Sequence, residues 1–355
     1  MKITKYFPFV LLVYHLIFAF IGYDYITENN GDASRYWFLA TDLSTISWFE
    51  FFKPGTDVLK FITYPFVNYF NLPFLAGFIL FSLIGYAGFY ILWKLFRELA
   101  GDCRIGIWIS MLLLLLPNAH FWTSIIGKEA VLFPLVSLFL LHLYRKRFSG
   151  WQLWVSILGI AIIRPHVGVI FLIIVAIYYL LVSKETSLGK IKKALLFTII
   201  LAVTAYCLLI IAKIESNPFE RIAHLYNVHI YKLRSTATYV PLDRYSLWYK
   251  LVTFYFRPYP WETSGFYFQV VCWENFILLI SSVAAFVILL FNFKKLKGNN
   301  LLWMMIVLFY LYGIMYVYAY ANIGLILRTK SLIIPVLYTI FILIFSSSKF
   351  KSFSK

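Results

Sequence analysis

Phe7-Pro8-Phe9-Val10-Leu11-Leu12-Val13-Tyr14-His15-Leu16-Ile17-Phe18-Ala19-Phe20-Ile21-Gly22-Tyr23 runs without a single acid, lysine or arginine. Two lysines, Lys2 and Lys5, precede it. A secretory signal peptide also starts basic and turns apolar. Its apolar core, however, is about 7–15 residues long and ends at a small-x-small cleavage site. This run is longer and no such site follows, so it reads as an uncleaved first membrane span.

The rest of the chain repeats the pattern. Hydrophobic residues make up 62% and charged residues 13% of the 355, with a mean hydropathy of +0.81. A soluble domain is roughly a quarter charged and about half apolar. One buried core does not need this much apolar surface, whereas helices facing lipid do. The expected spans are 7–23, 72–93, 105–118, 129–144, 151–163, 167–183, 194–212, 268–291, 301–320 and 331–347. The fold class is therefore all-α: a polytopic membrane helical bundle of about ten transmembrane helices, with a single transmembrane domain over 1–355. Segments 105–118 and 151–163 fall short of the ~20 residues of a full crossing. They must extend into flanking polar residues or end in a cavity inside the protein.

The net charge of +17 does not form a nucleic-acid-binding patch, because it is dispersed in short runs between apolar segments. With the N-terminus inside, the cytoplasmic pieces carry 18 of the 32 lysines and arginines against three acids, Glu98, Asp102 and Glu185. The positive-inside rule then places both termini in the cytoplasm. The tail 346–355 carries no message beyond this topology. Cys103, Cys207 and Cys272 are too few and too scattered for a disulfide framework or a zinc site.

Two outer loops are long, 24–71 and 213–267. Apolar and aromatic residues recur in them at helical spacing, as in Trp37, Phe38, Ile46, Phe49 and Phe52. Interfacial helices are therefore expected in the first and fourth outer loops. The other outer connections, 117–128, 164–166 and 322–330, are short and rich in polar groups.

Ionisable residues at the mouth of membrane helices are costly and mark candidate sites. Asp32, in Asn30-Gly31-Asp32-Ala33-Ser34-Arg35-Tyr36, reads either as a general base or sugar-binding carboxylate or as a helix N-cap. Lys128-Glu129 heads an apolar helix. A glutamate there suits the helix dipole, or the pair serves phosphate binding and acid–base work. Arg164-Pro165-His166 makes a tight turn whose arginine either binds phosphate or carboxylate through its planar fork or snorkels to headgroups. Arg257-Pro258-Tyr259-Pro260-Trp261-Glu262 reads as a sugar-phosphate subsite, with Trp261 stacking on a sugar and Glu262 taking its hydroxyls. The alternative is an interfacial aromatic belt. Glu274 follows in or near the membrane. Arg328, with Lys330 close by, faces an anionic lipid-linked group or ordinary headgroups. His15, His120, His142, His224 and His229 are scattered and read as structural. There is no P-loop, dinucleotide glycine fingerprint, metal-ligand spacing or nucleophile elbow.

The first-loop motif Gly31-Asp32-Ala33-Ser34-Arg35-Tyr36, on an aromatic-rich chain of about ten spans, resembles the superfamily C (GT-C) glycosyltransferases. The segments around Trp122…Lys128-Glu129, Arg164-Pro165-His166, Arg257-Pro258…Trp261-Glu262 and Asn322…Gly324…Arg328…Pro335 are similar to bacterial membrane proteins of envelope-polysaccharide loci. Those loci also encode Wzy-like and EpsG-like polymerases. That superfamily often carries a second acid soon after its first-loop aspartate. Here Ala33 follows, and the next acid is Asp42.

The resemblance implies transfer of a sugar from a polyprenyl-phosphate- or pyrophosphate-linked donor to a glycan or lipid acceptor. The reaction would run on the outer face of a bacterial cytoplasmic membrane. Asp32 and Glu129 would be catalytic, Asp32 as general base. Lys128, Arg164, Arg257 and Arg328 would hold the donor phosphate, and Trp261, Glu262 and Glu274 would contact sugar. Membrane lipids are the other expected partners, and the scheme needs no nucleic acid, nucleotide, cofactor or metal. A repeat-unit polymerase would use the same residues and make a longer product. A lipid-linked oligosaccharide flippase would call for charges at mid-membrane depth and usually internal repeats. Neither is visible here.

Overall fold

The computed structural model describes residues 3–29, 31–39, 46–211, 218–263 and 265–347. Asn30, Asp42 and the basic tail 348–355 lie outside the described residues. The described chain is helical, and its one β-type pairing is an isolated bridge between Tyr239 and Asn322. Five helices are long and apolar enough to cross a membrane, and up to seven do so if two bent helix pairs each count as one span. The chain is thus a multi-pass membrane protein by the length and composition of its helices. The helices group into two compact units, Met1–Pro165 and His166–Lys355, where the sequence reading expected one domain.

The first unit contains α1 (Ile3–Asn29), α2 (Asp32–Trp37), α3 (Val58–Tyr64), α4 (Phe74–Ala100), α5 (Arg104–Leu114), α6 (Pro117–Ser124), α7 (Lys128–Tyr144) and α8 (Trp151–Ile163). Helix α4 is central and packs against α1, α5, α6 and α7, and α8 packs against α7. Glycines on α4 allow the close approach that membrane packing favours. A Cβ on Gly85 would collide with the Thr123 carbonyl oxygen of α6, and one on Gly88 would stand 2.9 Å from the backbone nitrogen of Pro134 in α7.

The short segment 105–118 does not stop early. Its span breaks at Leu115–Leu116 and continues as α6, bent by 46°. Pro117 causes the break: it has no N–H to donate, and it pushes Leu116 into extended backbone (ψ 129°). Four carbonyls at the break find donors. Leu112 and Leu113 accept from the N–H groups of Leu115 and Leu116. The Leu114 carbonyl accepts from His120 Nε2 at 2.7 Å, and the Leu115 carbonyl from the Tyr14 hydroxyl at 3.0 Å. The 117–128 stretch, expected as a loop, is therefore mostly a buried helix. His15 Nδ1 and His120 Nδ1 lie 2.8 Å apart with both rings fully buried. A carbonyl can only accept, so His120 carries its hydrogen on Nε2. With both rings neutral, His15 then donates from Nδ1.

The first loop forms a small core of its own, with Leu39, Phe51 and Tyr64 buried against Trp48 and Phe61. Phe38, Phe49 and Phe52 remain exposed, while Trp37 is buried.

The second unit contains α9 (Pro165–Val182), α10 (Ser187–Ile211), α11 (Pro218–Leu233), α12 (Leu247–Phe256), α13 (Phe266–Phe291), α14 (Phe293–Leu296), α15 (Asn300–Val317), α16 (Ile323–Lys330) and α17 (Ile334–Ser347). Helix α17 packs on α13 and α15, and α12 packs on α13, α15 and α16. The 322–330 stretch, expected as a connection, is helix α16, capped by the Asn322 side chain. It joins α17 through a 55° bend. Pro335 cannot donate to the Ser331 carbonyl, which ends helical continuity there. Two carbonyls at this break find side-chain donors: Arg328 the Ser331 hydroxyl at 2.7 Å and Thr329 the Tyr312 hydroxyl at 2.9 Å.

Gly85→Ala should lower the thermal midpoint of the detergent-purified protein, by an amount reflecting about 1–3 kcal/mol of overpacking. A Cβ on Gly298 meets open space, so Gly298→Ala should leave the midpoint unchanged. Equal midpoints for the two variants would refute the α4–α6 contact as a packing constraint.

Candidate functional site

Two polar clusters hold most of the residues singled out in the sequence, one in each unit.

In the first unit, Asp32 is the first helical residue of α2, just after Gly31, and is exposed. It therefore sits in the first turn rather than at the N-cap, where its charge suits the helix dipole. One turn later, Arg35 reaches Asp57 at 3.5 Å, and Lys60 lies 3.8 Å from the same carboxylate oxygen. The neighbouring Thr56 hydroxyl accepts from Lys128 Nζ at 3.1 Å. Gly55 N–H in turn donates to the Ile162 carbonyl at 2.7 Å, near the C-terminus of α8. The turn 55–57 thus ties α2, the start of α7 and the end of α8 together. Sequence patterning gave no sign of that turn's role, because its contacts are long-range and follow no period.

Arg164 and Glu129 form a buried ion pair, with side-chain exposures of 6% and 1%. Glu129 lies in the first turn of α7, and Arg164 directly follows α8. The sequence reading paired Glu129 with its neighbour Lys128. The fold instead sends Lys128 to Thr56 and gives Glu129 to Arg164, because adjacent residues on a helix diverge by about 100°. His166 belongs to the second unit, where its Nε2 lies 3.1 Å from the Tyr316 hydroxyl.

In the second unit, Arg257 ends α12 and grips Glu262. Its Nε lies 2.8 and 3.1 Å from the two carboxylate oxygens, and its Nη2 lies 2.8 Å from one of them. The second carboxylate oxygen also accepts from the Tyr259 N–H at 2.9 Å. Burial disfavours the charged guanidinium, but the Glu262 and Tyr245 contacts outweigh it and raise the Arg257 pKa. Trp261 stacks on Tyr259 with ring centres 5.1 Å apart and is 71% exposed. It also meets the Phe276 ring edge-on, with centres 5.9 Å apart.

Glu274 is 3% exposed, inside the packing rather than at an open surface. Its charge acts on Lys330. Arg328 is half-buried on α16. Lys330 and Asn275 were not chosen from the sequence, yet both are buried in this cluster. The available signal was Lys330 itself, an ionisable residue abutting the apolar run of the last span.

Beside this cluster, the second unit holds an apolar groove of about 460 Å³ lined by α12, α13, α15 and α17. Among the described residues, no three His, Cys, Asp or Glu side chains gather as a metal site. No protein-family model, curated protein or solved structure matches the chain.

Replacing one partner of the Arg164–Glu129 pair, as in Arg164→Met, should cost about 3–5 kcal/mol of stability, because it strands a buried charge. Arg164→Met with Glu129→Leu should recover most of that loss. Thermal unfolding of the four proteins measures this, and additive losses would show that the two residues do not depend on each other.

Proposed function

We propose that the chain is a membrane glycosyltransferase that uses a polyprenyl-phosphate-linked sugar donor. It would work at the outer face of a bacterial cytoplasmic membrane, in envelope polysaccharide or glycolipid assembly. One observation carries the reading. The apolar groove is lined by Tyr255 and Phe256, and the next residue is Arg257, an arginine at a helix end beside an exposed tryptophan. An apolar tail, an anionic link and a sugar occur in that order in a lipid-linked donor.

In this reading the donor's tail occupies the groove, Arg257 and Arg328 take its phosphate, and Trp261 with Glu262 meets the sugar. Asp32, in the first unit, is read on its own as the general base that takes the proton of an acceptor hydroxyl. The hydroxyl oxygen bonds to the anomeric carbon while the bond from that carbon to the phosphate oxygen breaks, and the phosphate leaves with the electron pair. Lys128 and Arg164 are the first unit's own candidate phosphate-binding cations, and there Glu129 holds Arg164. Glu274 acts from within the packing.

The reading also includes ten crossings with both ends cytoplasmic. The seven candidate spans become ten if α7, α8 and α10 also cross. The short helices α2, α3 and α11 then lie at the outer interface, where exposed Phe38, Phe49 and Phe52 meet lipid.

Complementation in the native host tests the chemistry. Asp32→Asn and Arg257→Ala should insert normally but truncate an envelope glycan or accumulate a lipid-linked precursor, and product length separates single transfer from polymerisation. Wild-type glycans in both variants would end the proposal. For topology, Trp261→Cys should react with a membrane-impermeant maleimide added to intact spheroplasts, and a reporter fused after Lys355 should be active only in the cytoplasm. The reverse pattern would invert the assigned orientation.

A further inference from the structure

Lys330 is 1% exposed, and its ammonium is surrounded by protein oxygen. It donates to the Tyr255 carbonyl at 3.1 Å, the Arg257 carbonyl at 3.5 Å and Asn275 Oδ1 at 2.5 Å. Asn275 then donates from Nδ2 to the Pro258 carbonyl at 3.2 Å. An ammonium has three hydrogens, and three oxygens take them. Lys330 therefore has no donor left for a ligand, although it lies among residues assigned to phosphate binding.

Its contacts meet the end of α12, whose last carbonyls point out of the helix without internal partners. A cation at a helix C-terminus is also favoured by the dipole. Lys330 is the last residue of α16, just before its break with α17, and Asn275 lies on α13. Two separate elements thus converge on the backbone of Arg257 and Pro258, and the carbonyls of both residues are pinned. Glu274, next to Asn275, is also buried in this unit.

We propose that Lys330, acting with Asn275, is a positioning residue that fixes the Arg257 guanidinium by clamping the backbone on which it is carried. The role of Arg257 as an anion ligand rests on the proposed function, but the clamp itself does not. The experiment therefore has two arms, both on the full chain in phosphatidylcholine nanodiscs.

Hydrogen exchange reads the clamp directly. Lys330→Met should raise amide exchange across 257–263 at least tenfold. Unchanged exchange there would overturn the proposal. Calorimetric titration with farnesyl pyrophosphate reads the consequence. Lys330→Met and Arg257→Ala should each weaken binding at least tenfold, and the double variant should bind no more weakly than Arg257→Ala alone. Independent, multiplying losses would show that Lys330 does not act through Arg257, and would also overturn the proposal. If the wild type does not bind the probe while exchange still rises in Lys330→Met, the clamp stands and the lipid-phosphate reading of Arg257 falls. Should Lys330→Met fail to accumulate in the membrane, Asn275→Ala removes the link to Pro258 and carries both arms.

Discussion

Hydrocarbon offers no hydrogen-bond partner, so each backbone carbonyl in a membrane span must find its donor within the protein. An unbroken helix meets this demand automatically. A broken one does not, and this chain breaks two of its candidate spans at prolines. The repairs decide much of the surrounding structure. Tyr14 and His120 must be close enough to reach Leu114 and Leu115, which draws α1 and α6 together beside α4. His15 meets the other ring nitrogen of His120 at 2.8 Å, while its own Nε2 makes no hydrogen bond among the described residues. Gly85 follows as well, since the bent α6 lies too near α4 for any side chain there. A buried histidine pair in a membrane span reads at first as chemistry. Here three of its four ring nitrogens are engaged in the repair of a helix break.

The second break works differently. Side-chain hydroxyls from Ser331 and Tyr312 satisfy the carbonyls of Arg328 and Thr329. That leaves the Lys330 side chain to serve another helix end, that of α12. A break that would be a defect in a straight span thus becomes the point from which a buried cation is delivered across the unit.

The sequence was most legible where composition and periodicity act. The helical class, the membrane setting and the approximate positions of the apolar helices follow from runs of residues that lipid or a helix core must accept. Breaks were less legible. Pro117 and Pro335 are visible as letters, but whether a proline ends a span or bends it depends on donors far away in sequence, such as Tyr14 and Tyr312. Ion pairing was the least legible. Lys128 and Glu129 are adjacent in sequence yet have partners at Thr56 and Arg164. Lys330 was passed over in favour of Arg328, two residues away on the same short helix, and only the fold shows which of the two is buried.

The two arginine–glutamate pairs differ in a way that bears on what each can do. Arg164 and Glu129 are both almost wholly enclosed, so opening that pair would strand two charges where no water reaches, at a cost of several kcal/mol. Arg257 and Glu262 are 17% and 21% exposed, and Glu262 also holds the Tyr259 N–H. Water can follow an opening here, so the penalty for exchanging one anion for another is much smaller. A phosphate arriving at Arg257 would displace a carboxylate of like charge and find the same bidentate donor geometry. The released Glu262 would stay within reach of the Tyr259 N–H. On these grounds Arg257 is the arginine whose carboxylate partner can be exchanged, and Arg164 the one that holds the start of α7 to the end of α8.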